Sequence, residues 1–323
     1  MRRTCAVPAL IRHDGQRHNV VARGSPDVAP ASQVGPLVSI ADVRLAAGTA
    51  YLLPLSWLGP PRSWAPVSVL LARAHARLTP RNTARRIEQV RRRCGKRTDL
   101  PSPHFIVTRV RAGRIERHLQ YLREFRPGGW NPAIELSGLE HIDGALKRGN
   151  GCILWVAPLI HAFLVTKKGL STAGYALTHL SAADHGLPKT RMGRPVGALR
   201  TKPEERYLAE RLLMTGGSEL RLTRDLYLRL RANALVSITA ETTWGARMVA
   251  GPFLGSTISL PTGAPSLSLA SGAALLPTFA VRHAHDHFEV IIEPALAAGP
   301  SDDRHAAVDD LARNYIRRID HHV

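Results

Sequence analysis

Apolar and polar positions change period about 150 residues into the chain. From Arg81 to Arg93 the apolar residues Ala84, Ile87 and Val90 recur every three positions beside a broad arginine face, which predicts a surface helix. A second helix is expected from about Val110 to Phe125, ended by Pro127, Gly128 and Gly129. From Gly151 onward, short apolar runs alternate with helical stretches. Cys152 to Ala157 and Ala234 to Thr239 are continuous enough to be strands buried on both faces. Helices are predicted from Ile160 to Leu170, from Lys202 to Met214 and from Ser218, as N-cap, to about Arg231, with a strand around Tyr175 to Leu180. Ala274 to Arg282 and His287 to Glu293 form a hairpin. Ser301 is expected to cap a final helix with Asp302 and Asp303 in its first turn.

This pattern predicts an α/β fold, with a largely parallel central sheet flanked by helices and a mainly helical, basic N-terminal part. The organisation read from it is a flexible tail over 1–35, a helical part over 36–140 and an α/β core over 141–323.

Composition narrows the partners. The chain has 323 residues, 44% of them apolar, enough for a sizeable core, and a formal charge of +19. Between residues 60 and 130 there are 17 Lys and Arg against 4 Asp and Glu, so an anionic partner is expected. No zinc spacing, basic zipper or aromatic-rich strand signature points to nucleic acid. Cys5, Cys94 and Cys152 are too few and scattered for a disulfide framework or a short-spaced metal site, which fits a reducing compartment. Residues 1–35 lack the pattern of a secretory signal. The apolar stretch Leu45 to Gly59 is too short to span a bilayer and carries Pro54. It suits either a buried helix or an interfacial one, with Tyr51, Trp57 and Trp64 at headgroup level. There is no Walker or Rossmann phosphate loop and no nucleophile elbow.

The order of features from 233 to 294 is the most specific signal. A strand ending in Glu241 is followed by Pro252, Phe253 and Gly255, then Gly263, Ala264, Pro265, Leu267 and Ala270, then Ala273, Leu275, Pro277 and Phe279. This resembles the lysophospholipid acyltransferase superfamily, most closely its lipid A biosynthesis (late acyltransferase) branch. The resemblance implies an acyltransferase-like α/β fold, an acyl-carrier-protein or coenzyme A thioester as donor and no cofactor or metal. It implies a cytoplasmic protein peripheral to the inner face of an anionic membrane. Such proteins carry a His followed five positions later by an acid. Aligned on Gly151 to Ala157, those positions are Pro158 and Phe163, whereas the nearest histidine, His161, has Thr166 five residues on.

Acyl transfer requires a base, a group to hold it and donors for the oxyanion. His161, just past a core strand, is the candidate base, and Glu241, at the end of a buried strand, the carboxylate that orients it. The plain alternative for Glu241 is a pair with Arg247. Between His179 and Gly193, Lys189, Arg191 and Arg194 suit an anionic acceptor group, with His179 and His185 as second-choice bases. Lys167 and Lys168 read as exposed helix charges, and His283, His285 and His287 as polar residues on one face of a hairpin tip. A homologue that has lost catalysis but kept a lipid-binding groove is the rival reading, carried by Pro158, Phe163 and Thr166.

Overall fold

A computed structural model describes residues 39–94, 99–182, 190, 201–214, 219–241, 247–299 and 302–322. The tail expected over 1–35 lies outside them. Four helices come first: α1 (Ile40–Leu58), α2 (Trp64–Leu78), α3 (Pro80–Cys94) and α4 (Pro103–Arg123). The last is the axis of this part, with α1, α2 and α3 all packed against it. Then follow β1 (Ala133–Ser137), α5 (Leu139–Lys147), β2 (Cys152–Val156), α6 (Ala162–Thr172) and β3 (Leu177–Ala182). The chain continues through β4 (Glu210–Met214), α7 (Glu219–Arg231), β5 (Leu235–Thr239), the hairpin β6 (Met248–Phe253) and β7 (Ser256–Pro261), and α8 (Gly263–Ser271). It closes with β8 (Ala274–Ala284), β9 (His287–Ile292) and α9 (Arg304–His321).

Seven strands form one sheet in the order β1-β9-β8-β2-β5-β3-β4. β8, β2, β5, β3 and β4 run parallel to one another, while β9 returns antiparallel to β8 and carries β1 alongside it. The largely parallel α/β architecture read from the sequence is therefore the one observed. β2 lies at its centre, and all five residues are buried because helices cover both faces. On one face Tyr315 of α9 stacks on Trp155 with ring centroids 3.9 Å apart and donates its hydroxyl to the Trp155 carbonyl at 2.8 Å.

The small β6–β7 sheet ties the C-terminal half to the basic helices. Its two-residue turn, Leu254-Gly255, has positive φ at both positions, 49° and 78°, the hairpin geometry that matches strand twist. A leucine is unusual there. Its side chain is buried among Val90 of α3 and Ile106, Val107 and Val110 of α4, and its amide donates to Asp320 at 2.8 Å, which offsets the backbone strain.

Several expectations need correction. Of the helix expected from Lys202 to Met214, only residues 202–205 are helical, and 210–214 form the edge strand β4. Its residues are mostly half-buried, so Tyr207, Leu208, Arg211 and Leu212 mimic a helical stripe by spacing alone. The final helix starts at Arg304, capped by Asp303 accepting from the His305 amide at 2.8 Å, so Asp302 and Asp303 precede it; Ser301 lies outside the described residues, as does Ser218. Trp64 is not interfacial: it is buried in the core, and Trp57 donates to the Leu122 carbonyl at 3.1 Å. Tyr51, together with Leu58, Leu70 and Leu78, is exposed on α1 and α2. Among the described residues no helix is long and apolar enough to cross a membrane.

The lead-in to the core depends on Gly138, which starts α5 with φ of 86° and whose absent Cβ would lie 2.0 Å from the Ile292 carbonyl oxygen. Because that neighbour is backbone, Gly138→Ala should destabilise the protein by at least ~2 kcal/mol, combining left-handed strain with the clash. Chemical denaturation of the two proteins is the check. An unchanged midpoint would mean that β9 can move away from this turn.

Candidate functional site

In an open parallel sheet, reactive groups collect where the strands end at their carboxyl edge. Here β2 runs out at Val156, and the Ala157 amide is still held by the Thr278 carbonyl of β8 at 2.9 Å. The chain then turns through Pro158, Leu159 and Ile160, all buried, to His161, which stands at the N-cap of α6. Its side chain makes no capping bond, so the imidazole is available to other partners.

Helix α4 forms the wall over this loop. Positions 109, 113, 116, 117 and 120 recur at helical spacing, and Gly113 permits the approach, since a Cβ there would sit 2.9 Å from Ile160 Cδ1. The Gln120 amide faces His161 Nδ1, with Nε2 at 3.1 Å and Oε1 at 3.3 Å. Phe288 of β9 lies against the ring at 5.4 Å. Arg282 of β8 pairs with the buried Glu116 carboxylate, and the Arg117 guanidinium sits 5.5 Å from the Phe163 ring centre. Burial holds the His161 imidazole well below its ordinary value of 6.5, and the positive charges of Arg282, Arg117 and Arg109 push it the same way. Burial raises the Glu116 carboxyl against the opposing pull of Arg282 and Arg109. A neutral histidine beside an arginine-rich wall can accept a proton from a hydroxyl or amine.

Glu241 follows β5, the strand paired with β2. It stands two residues past the last pair, Val156↔Thr239, at the carboxyl edge of the sheet where β2 also ends. Arg247 pairs with Asp309 at 2.6 Å. His179 is in β3, buried, with Nδ1 3.0 Å from Ser237 Oγ. Lys189, Arg191, Arg194 and His185 fall outside the described residues.

Lys167 and Lys168 overturn the expectation of exposed helix charges: both are buried. Lys167 pairs with Glu204, which also accepts from the Tyr121 hydroxyl. Lys168 donates to Glu124 at 2.8 Å, to Tyr207 at 2.9 Å and to the Trp130 carbonyl. Burial alone would raise the Glu204 carboxyl, but the Lys167 charge and the hydrogen bonds from Lys167 and Tyr121 outweigh it and bring it down to about 2. The hairpin histidines do not share one set of partners. His283 reaches Glu289 at 2.7 Å, His287 reaches Glu135 at 2.9 Å, and Asp286, at positive φ, accepts from Trp130 Nε1 at 2.6 Å.

Gln120, Glu116 and Arg282 were missed by sequence reasoning. Glu116 and Gln120 were detectable in principle, as polar residues four apart within the otherwise apolar stripe of Ala112, Leu119 and Leu122.

Residues 209–322 match the family described as bacterial lipid A biosynthesis acyltransferase. The matched segment runs from β4 to α9 and contains Glu241 and Arg282, while His161 lies upstream of it. The match supports the late acyltransferase branch and, with it, an acyltransferase function. No curated protein matches the chain.

The Lys167–Glu204 pair yields a stability prediction. Glu204→Gln leaves a buried ammonium without its counter-charge and should cost about 3–5 kcal/mol, much of it recovered in the Lys167→Met, Glu204→Gln double variant. The Glu204 carboxyl titrates lower in the folded chain than its ordinary 4.5, so its contribution is complete above 4.5 and is lost as pH falls towards 2. Urea midpoints of wild type and Glu204→Gln should therefore converge on the acid side. A constant difference between pH 7 and pH 3 would contradict this.

Proposed function

We propose that this lipid A acyltransferase relative transfers an acyl group from an acyl-carrier-protein or coenzyme A thioester to a hydroxyl or amine of a lipid-like or specialised-metabolite acceptor. The observation that carries the proposal is His161 at the carboxyl end of β2, with Nδ1 faced by an amide and its imidazole kept neutral. With the Gln120 amide turned so that Oε1, at 3.3 Å, takes the place of Nε2, at 3.1 Å, and accepts the Nδ1 proton, Nε2 of His161 holds the lone pair. It takes the acceptor's proton as the acceptor oxygen or nitrogen bonds to the thioester carbonyl carbon. Collapse of the tetrahedral intermediate breaks the carbon–sulfur bond, and the proton on Nε2 goes to the departing thiolate.

Glu241, on the neighbouring strand end, is the proposed carboxylate of the site, supporting the imidazolium while it carries the proton. Lys189, Arg191 and Arg194, with His179 and His185, are the proposed acceptor-binding set. The thioester supplies the driving force, so neither metal nor redox cofactor is required by the reaction written here. The basic face of α3, where Glu88 pairs with Arg91 and Arg92, suits an acidic carrier or an anionic membrane surface. Tyr51, Leu58, Leu70 and Leu78 on α1 and α2 add apolar contact for peripheral binding at the cytoplasmic face. A second reading, a lipid-binding homologue without turnover, is favoured by Pro158 and Phe163 at the aligned motif positions and by Thr166 five residues after His161.

Mass spectrometry of purified protein with acyl thioesters and candidate acceptors tests the proposal. His161→Ala should lower turnover by roughly 10²-fold or more, and Glu241→Gln by less, with donor binding retained in both. Undiminished transfer by His161→Ala would remove His161 from the mechanism. Acyl binding by wild type without transfer or hydrolysis would favour the second reading.

Association with anionic liposomes or acidic carrier should weaken steeply with salt and on charge reversal of Arg91, Arg92 and Arg93. Salt-independent binding would assign the contact to the exposed apolar side chains instead.

A further inference from the structure

The residue five positions beyond His161 is where the acid of the His motif would stand, and here it holds nothing. Thr166 is buried in α6, and its hydroxyl has no hydrogen-bond partner. Phe163, at the other motif position, lies beneath Arg117. The imidazole is instead faced by a side chain from a different helix, Gln120 of α4, itself only 3% exposed. Two features fix that helix where it can do so. Gly113 brings the backbone of α4 against Ile160 in the loop, and Tyr121, the residue after Gln120, is bonded to Glu204 and through it to Lys167 of α6. Gln120 therefore reaches His161 from a backbone braced on both sides of it.

We propose that Gln120 is the positioning residue of His161, a neutral amide supplied by α4 doing the work that an acid does five residues after the histidine in the resembled motif. The two arrangements differ chemically. A carboxylate both orients an imidazole and stabilises its protonated form, whereas an amide only orients it, by accepting the Nδ1 proton and leaving the lone pair on Nε2. The surroundings reinforce the difference. From α4 the ring meets the charges of Arg109 and Arg117 with Glu116 between them, and from β8 that of Arg282, which is paired with Glu116; His285 lies beyond on the hairpin. β9 contributes apolar Phe288, and Glu241 stands at the end of neighbouring β5. The result is a weaker base that stays unprotonated to lower pH than one held by an acid.

The proposal rests on the acyltransferase reading for its effect on turnover, not for its effect on the imidazole. The test is long-range proton–nitrogen NMR of the histidine side chains in the full chain, with His161→Gln to assign the signal. In wild type, His161 should occupy the Nδ1–H tautomer and titrate below 6.5. Gln120→Leu, similar in volume, should abolish that tautomer preference and lower kcat by roughly tenfold or more with little change in KM. Gln120→Glu should keep the tautomer and raise the His161 midpoint by about one pH unit or more, moving the acid limb of the rate profile with it. A tautomer and titration in Gln120→Leu identical to wild type would overturn the proposal. If the imidazole signals shift as stated while wild type turns over no thioester, the positioning role stands and the acyltransferase reading falls.

Discussion

Two buried ammonium–carboxylate contacts determine how the halves of this molecule meet. Lys167 with Glu204 and Lys168 with Glu124 place adjacent positive charges of α6 against the end of α4 and the segment that follows residue 201. Charges out of water are costly unless fully partnered, and here the partners include Tyr121, Tyr207 and the Trp130 carbonyl. The observed placement of α4 against α6 satisfies these groups together. That placement also puts Gln120 over His161, so the orientation of the candidate base follows from polar groups outside the reaction centre.

The same arrangement accounts for the departure from the familiar His motif. When a histidine and its acid lie on one helix, local geometry keeps them together. With Thr166 in the acid's place, the restraint on His161 has to come from across the fold, and a braced α4 supplies it through Gln120. The arginines that line this wall lower the cost of an anionic substrate approaching, while raising the cost of a charged imidazole. A neutral base in a cationic site is the electrostatic result.

The legible parts of the fold were those written in contiguous residues. β2 declares itself because a strand buried on both faces is an unbroken apolar run, β5 more weakly because Ser237 interrupts its run, and α3 because its arginine face is periodic. The segment ending at Met214 misleads, since an edge strand with half-buried residues carries no clean period of two. His161 was legible from its place after a core strand. Its partner was not, because Gln120 precedes it by 41 residues and glutamine has no chemistry that singles it out. Likewise Lys167 and Lys168 look like surface charges until Glu204 and Glu124, 37 and 44 residues away, are brought beside them.

Trp155, one residue before the end of β2, lies beneath Tyr315 with planes only 18° apart, and Phe279 and the His322 ring extend the stack. Rings held rigidly in an asymmetric surrounding absorb circularly polarised light unequally, and they lose that property when the packing loosens. The strand that delivers the candidate base thus carries its own optical label. Near-ultraviolet dichroism and tryptophan emission can report the docking of the last helix under the reaction loop without any added probe.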